Sequence, residues 1–373
     1  MVGGIVAEYN PFHNGHLYHI KKTKEHCDTL VVALSPDVCQ RGSFSSVSKY
    51  SRAAAAIEAG ADLVIEIPSV AVLTGAKNFA VSAVGLLESV GVDVLSFGSE
   101  TGNKEFLFSA LSRLSEAEKR GIIADEQKSG KSYPRIMGEV IGNIGANDIL
   151  ALEYLKAKNK KTDVLVVKRE SVEHDSPEEK GSFASASYIR EKGVENCSHL
   201  IPDFAFDLFK NEKKIDEKQL EEAMLSFLKR LSKDDIKKAP SVSEGLENRI
   251  YSAIKEAKSV EEAITLVKTK RYTHARLRRI FMCLFLGIKE EDINLTEYIR
   301  VLALNEKGAA LLKKAKKESK IPIVTSLKEA EKISKNAEKE AFITDFRLFF
   351  CGEKAFLGED YRYSPKIHRK NEN

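Results

Sequence analysis

This 373-residue chain lacks the marks of stapled, fibrous or membrane-embedded proteins. Its five cysteines, Cys27, Cys39, Cys197, Cys283 and Cys351, are odd in number and far apart. No Cys-x-x-Cys or Cys-x-x-His pair occurs among them, which argues against a disulfide framework and against protein-bound zinc. No stretch approaches the ~20 apolar residues that a membrane span requires. With only 9 Pro and 22 Gly beside 43% hydrophobic and 31% charged residues, the composition excludes collagen-like and disordered classes. Common nucleotide and hydrolase motifs are missing too. There is no Gly-x-Gly-x-x-Gly and no Gly-x-Ser-x-Gly, and the P-loop-like Gly130-Lys131-Ser132 has Asp125 where the earlier glycine belongs. The start, Met1 to Ala7, has neither a basic segment nor a cleavage-site pattern, so the expected location is cytoplasmic.

What is present divides into two unlike parts. Residues 1–190 hold 22 Lys+Arg against 24 Asp+Glu, a net −2, whereas residues 191–373 hold 37 against 31, a net +6. The second part therefore carries the footprint expected for a polyanion. The first alternates short β-branched runs with helical patterns, the mark of a parallel α/β sheet. Strands are predicted at Gly3 to Ala7, Thr29 to Ser35, Asp62 to Ile67, Val92 to Phe97 and Thr162 to Lys168. These runs are almost continuously apolar, as in strands covered on both faces. From about Glu191 the pattern becomes Lys/Glu-rich amphipathic helix, as in Asp216 to Leu231 and Gly308 to Lys317. The division reads as a nucleotide-binding domain over 1–190 and a mainly α-helical domain over 191–373.

The most informative stretch follows the first strand: Ala7-Glu8-Tyr9-Asn10-Pro11-Phe12-His13-Asn14-Gly15-His16-Leu17-Tyr18-His19-Ile20. Pro11 and Asn14-Gly15 force a turn, and a helix begins near His16. His13 and His16 flank that helix start, where an open α/β sheet binds nucleotides. Phosphoryl transfer needs donors placed where charge develops on the nonbridging oxygens, and two imidazoles beside a helix N-terminus supply them. The spacing of His13, His16 and His19 also permits a metal, but no acidic or cysteine ligand lies near, so no metal is assigned to the protein itself. A magnesium ion carried on a triphosphate is a separate matter. A second marker, Ser185-Ala186-Ser187-Tyr188-Ile189-Arg190, sets two hydroxyls and an arginine at a helix start, suited to the outer phosphates.

These two motifs resemble the His-x-Gly-His nucleotidyltransferase superfamily. The longer string Ala7 to His16 resembles one bacterial family within it, the tRNA(Met) cytidine acetate ligases. Cys39-Gln40-Arg41-Gly42, Gly60 to Pro68, Phe97-Gly98-Ser99-Glu100, Asn147 to Lys156 and Tyr272 to Ile280 fit as well. The resemblance implies a Rossmann-like nucleotidyltransferase domain with a parallel sheet, followed by the helical tRNA-binding domain. It implies that ATP activates acetate as acetyl-adenylate and that the acetyl group passes to the 4-amino group of the wobble cytidine in elongator tRNA(Met). It further implies ATP binding by Ala7 through Ile20, with His13 and His16 catalytic at the phosphates, and by Gly98, Asn147, Arg169 and Arg190. ATP, with Mg2+, and acetate are then the small substrates, and no obligate protein partner is expected. The alternative is a small-molecule adenylyltransferase of the same His-x-Gly-His type.

In the second part, Lys268, Lys270, Arg271, Arg276, Arg278 and Arg279 crowd into twelve residues without an acid. With Tyr272 among them, they suit an RNA backbone and an unstacked base. Lys49 and Arg52, after Gln40-Arg41-Gly42, are two further candidates for contact with RNA or phosphate.

Overall fold

In a computed structural model of the chain, the five apolar runs form strands β1 (Val2–Ala7), β2 (Thr29–Leu34), β3 (Leu63–Glu66), β4 (Val94–Ser99) and β5 (Asp163–Lys168). Residues 1–142, 144–169, 179, 181–243, 245–353, 355, 357–365 and 367–368 are described. β1 lies at the centre of the first half's strands. It pairs in parallel with β2, from Val2 against Thr29 to Ala7 against Leu34, and on its other edge with β4, from Gly3 against Val94 to Ile5 against Ser96. β2 runs parallel to β3, and β4 to β5. The order β3-β2-β1-β4-β5 therefore reverses direction between β1 and β4. A crevice opens at the carboxyl ends of such a pair, and open α/β sheets take their ligands there.

Both faces of the sheet are covered, as the unbroken apolar runs predict. Val31 and Ala33 enter one core with Leu63 and Ile65, while Leu30, Val32 and Leu34 enter the other with Val64. Each such Val, Leu or Ile side chain contributes about 1.5–3 kcal/mol on full burial. Helices α1 (Asn14–Lys24) and α2 (Lys49–Glu58) supply Ile20, Ala53, Ala55 and Ala56 to the second core, and α3 (Ala76–Ser89) and α4 (Ala146–Ala157) supply Phe79, Ala83 and Leu152 to the first. β1 itself is squeezed from both sides. A Cβ at Gly3 would lie 2.7 Å from Cys27 Sγ and one at Gly4 2.8 Å from Val92 Cγ1, so the Gly-Gly pair lets the helices and loops close on the strand that carries the motif.

After α5 (Ala186–Lys192) the chain is helical, including Glu217–Leu228, Leu246–Glu256, Val260–Val267 and α6 (His274–Leu286), all packed into the first core. It then does something the helical pattern did not suggest. β6 (Ile299–Asn305) joins the sheet antiparallel to β3, followed by α7 (Glu306–Glu318), and the short strands β7 (Ile323–Val324) and β8 (Ile367–His368) pair with β6. The run Ile299-Arg300-Val301-Leu302-Ala303-Leu304 tolerates a charge inside a buried strand because Arg300 is fully partnered. Its Nη1 donates to Glu66 Oε2 at 3.0 Å and to Asp360 Oδ2 at 2.9 Å, and its Nη2 donates to Tyr50 OH at 3.0 Å.

That partnering also corrects the reading of Lys49 and Arg52. Neither reaches the surface: both are 0% exposed. Lys49 Nζ donates to Glu66 Oε1 at 2.7 Å and Asp360 Oδ2 at 2.8 Å. Arg52 donates to the carbonyls of Glu8, Ser35, Pro36 and Val47 at 2.5–3.0 Å. A basic residue early in an amphipathic helix reads as solvated in sequence, but distant carboxylates and loop carbonyls claim it here. Lys49, Arg300, Glu66 and Asp360 form a buried cluster of two cations and two anions that ties α2 and β3 to the end of the chain.

Candidate functional site

At the β1/β4 crevice lies a cavity of about 460 Å³, within the ~300–1,000 Å³ usual for a small-molecule site. It is lined from every direction the sequence motifs occupy. Ala7, Glu8, Tyr9, Asn10, His13, Gly15, His16, Tyr18 and His19 come from β1 and α1; Gly98 from β4; Asn147 from α4; Arg169 from the end of β5; and Ser185, Ser187 and Arg190 from α5.

Five members of the first motif face elsewhere. Phe12 and Ile20 are 0% exposed and belong to the second core, against which Leu17 also packs. Asn14 Nδ2 donates to the carbonyls of Ser182 and His199 at 2.9 and 3.1 Å, tying α1 to the segment around α5. Pro11 follows a cis peptide bond that turns the chain between strand and helix. Tyr9, just before that turn, has φ +48°, the left-handed region that a bulky residue occupies only when its surroundings hold it there.

The two motif histidines form a reciprocal cap. His13 Nδ1 accepts from Gly15 N at 3.1 Å, His16 Nδ1 accepts from His13 N at 3.3 Å, and the rings stack with centroids 3.7 Å apart. Packing favours glycine at position 15: a Cβ there would come 2.9 Å from His13 Cε1, against the ring that folds back over the helix start. With both Nδ1 atoms accepting, a neutral ring carries its proton on Nε2. The rings are held neutral. Burial, then the charges of Arg169 and Arg190, lowers His13 to about 3. Burial, then His13 and Arg169, holds His16 well below its ordinary value. The helix start thus presents two Nε2–H donors, while the Gly15 amide is spent on His13. His19 is turned aside from this pair, with Nε2 2.9 Å from Ser96 Oγ.

The opposite rim is knitted from two other motif stretches. Glu100 Oε1 accepts from the Asn147 side chain at 2.5 Å, and its Oε2 accepts from Asp148 N at 3.0 Å. In return Asp148 Oδ1 accepts from Ser99 Oγ at 2.5 Å and Glu100 N at 3.1 Å. Gly98 and Asn147 are therefore fixed relative to each other. A Cβ on Gly98 would meet nothing nearer than Arg169 Cγ at 3.6 Å, an ordinary contact, so protein packing does not demand glycine there and the bare backbone is left to the cavity. Arg190 Nη1 donates to Asn10 O at 2.6 Å, closing the ring of motifs.

Among the described residues, four buried side-chain atoms lack a hydrogen-bond partner, and three belong to residues lining this cavity: Tyr9 OH, Gln40 Nε2 and Arg169 Nε. Each unsatisfied buried polar atom costs about 1–3 kcal/mol. Such a concentration marks a place built for a polar ligand. Gln40, together with Arg41, lines the cavity from the loop after β2. The sequence reading gave this loop no role, and its only signal was the Gln40-Arg41-Gly42 string.

The basic stretch of the second half reaches the same place. Ala275, in the first turn of α6, lines the cavity mouth. Arg279 Nη1 donates to Gln40 O at 2.9 Å, and Gly42, at φ +75°, lies so close that a Cβ would be 2.6 Å from the Arg278 and Arg279 backbone. The six basic residues do not act alike. Lys268 and Lys270 are exposed. Arg271 and Arg276 lie 5.8 and 5.2 Å from the Tyr272 ring, and Tyr272 is only 9% exposed, so that ring is covered rather than offered to a base. Arg276 Nη2 donates to Ser241 O at 2.8 Å, and Arg278 pairs with Glu261 at 2.9 Å, an acid that only tertiary structure brings alongside. Exposed Lys313, Lys314, Lys316 and Lys317 on α7, with Lys320 just beyond it, add a second basic face.

Residues 1–354 match the family described as HIGH Nucleotidyl Transferase. The tRNA(Met) cytidine acetate ligase of Thermoanaerobacter sp. (strain X514) is 39% identical, covering 96% of this chain and 97% of that protein. The protein of the same name from Clostridium acetobutylicum is 34% identical, over 87% and 90% of the two chains. Among solved structures, Thermotoga maritima TmcAL bound with alpha-thio ATP superposes with a TM-score of 0.89 at 29% identity, covering 99% of this chain and all of that one.

Proposed function

This chain belongs to the HIGH nucleotidyl transferase family and, within it, to the tRNA(Met) cytidine acetate ligases, and we propose from that premise how its cavity performs an ATP-dependent ligation. ATP lies across the β1/β4 crevice, its adenosine against the bare backbone of Gly98 and the rim held by Asn147. Its triphosphate runs past His13 and His16 toward Arg169, Ser185, Ser187 and Arg190. An acetate oxygen attacks the α-phosphorus, pyrophosphate leaves, and the Nε2–H groups stabilise the charge that builds on the α-phosphate oxygens. Preorganised donors of this kind act strongly because they need no reorganisation as the reaction proceeds. Mg2+ enters on the triphosphate and keeps much of its water, needing few protein ligands. The acetyl group then passes to the 4-amino group of the wobble cytidine of elongator tRNA(Met).

The observation that carries this reading is one cavity holding the two neutral Nε2–H donors and the unpartnered Arg169 Nε, with the basic helix α6 at its mouth. Within one continuous sheet, residues 1–190 handle the nucleotide, and residues 191–373 present the tRNA through Lys268, Lys270 and the arginines of α6. No helix among the described residues is long and apolar enough to cross a membrane; a cytoplasmic site of action belongs to the same proposal. The test is ATP–pyrophosphate exchange with single carboxylate co-substrates. Exchange that requires acetate supports the reading, and exchange that instead requires phosphopantetheine or nicotinamide mononucleotide overturns it.

A further inference from the structure

Glu8 is out of place in a site for a triphosphate. It lines the same cavity as His13 and His16, yet it brings a carboxylate where every other polar group suits an anion. Its position is built with care. The Glu8 carbonyl accepts from Arg52 Nη1 at 2.6 Å, and its carboxylate Oε1 accepts from Gln40 N at 2.7 Å. Gln40 O in turn accepts from Arg279 of α6, and Gly42 is pressed against the α6 backbone. The carboxylate is therefore fixed between the phosphate donors and the helix that stands at the mouth through Ala275. The carboxylate thus lies on the side of the cavity that meets the basic half.

We propose that Glu8 is the proton acceptor of the second half-reaction, taking the proton that the cytidine 4-amino group loses as it attacks the acetyl carbon. The inference rests on the ligase reading above. In this step the amino nitrogen forms a bond to the acetyl carbon, and the bond from that carbon to the adenylate oxygen breaks. AMP leaves with the electron pair, and the nitrogen's proton passes to Glu8 and on to solvent. An exocyclic amine conjugated with its ring is a poor nucleophile until that proton is withdrawn, so a positioned base has work that the histidines, which are neutral donors through Nε2, do not perform. Burial pushes the Glu8 carboxyl up, which makes it a better base than a solvated glutamate. The charges near it are Arg190, Arg52, Arg41 and Arg279, with Cys39 and Tyr154 as neutral titratable neighbours.

A purely structural Glu8 would only accept the Gln40 amide, which a glutamine side chain does equally well. Glu8→Gln therefore separates the two roles. The expected result is a loss of acetyl transfer to tRNA, in single turnover, that exceeds the loss of acetate-dependent ATP–pyrophosphate exchange by about 100-fold. The acidic limb of the transfer rate against pH is lost in Glu8→Gln and kept, at reduced rate, in Glu8→Asp. Equal losses in exchange and transfer, or transfer at the wild-type rate, overturn the proposal. A wild-type protein that exchanges pyrophosphate with acetate but never acetylates tRNA overturns the ligase reading itself, which sets that failure apart.

Discussion

Two regions of this molecule bury polar and charged side chains, and they differ in what those side chains lack. In the cluster of Lys49, Arg300, Glu66 and Asp360, two cations meet two anions and the partners are a few ångströms apart. In the β1/β4 cavity, Tyr9, Gln40 and Arg169 each leave a buried polar atom unpaired, and two imidazoles use their Nδ1 atoms on the helix cap. The first is complete without a ligand; the second is not. Residue type alone does not tell them apart, since Lys49 and Arg52 read as phosphate contacts from sequence. Satisfaction of hydrogen bonding, which only the fold reveals, separates structure from site.

That contrast breaks most readily in the cluster. Asp360→Asn removes one of the two carboxylates nearest Lys49 and Arg300, leaving Glu66 and, 4.0 Å from Lys49, Asp37, and removing one partner of a buried ion pair costs about 3–5 kcal/mol. Urea unfolding should show a loss of that size, while the folded fraction exchanges pyrophosphate at the wild-type rate. Lost exchange with unchanged stability would reverse the assignment of the two regions. The cavity should answer in the opposite sense. His16→Ala removes one preorganised donor, worth about 10²–10³ in rate, and should lower acetate-dependent exchange by that factor, while loss of its half of the cap lowers stability by only about 0.5–2 kcal/mol.

Smaller but sharper is the effect of acid. His13 is lowered by burial to about 3 from an ordinary value of 6.5, so the unfolded chain binds a proton that the native state refuses. The stability this provides is complete above pH 6.5 and is lost as pH falls toward 3, at up to about 1.4 kcal/mol per pH unit for that histidine. His13→Gln should flatten the fall measured by urea unfolding between pH 6.5 and 4. A slope equal to wild type would mean that the ring is not held neutral in the cavity.

The sequence carried the first half of the fold well because five strands buried on both faces are almost pure runs of aliphatic residues, and their positions shift by two residues at most at any end. β6 escaped because Arg300 interrupts its run, and nothing local shows that Glu66 and Asp360 will neutralise it. The nucleotide cavity was legible through short-range geometry: His13-Asn14-Gly15-His16 encodes its own cap, including the glycine over which a ring must fold. Gln40 and Ala275 were not legible as lining residues, since each owes its place to β2, α6 and the contact of Gly42 with Arg278 and Arg279. The same tertiary packing set Glu261 beside Arg278 and covered Tyr272, so a stretch without local acids became partly neutralised and lost its stacking ring.

The central claim is that the incomplete cavity and the basic half act on one substrate pair. It is tested most directly by incubating the protein with ATP, labelled acetate and total tRNA and analysing the nucleosides after digestion. The account predicts labelled N4-acetylcytidine that depends on ATP and comes only from elongator tRNA(Met). Acetate-dependent pyrophosphate exchange without any labelled cytidine, under conditions where the protein binds tRNA, would contradict it.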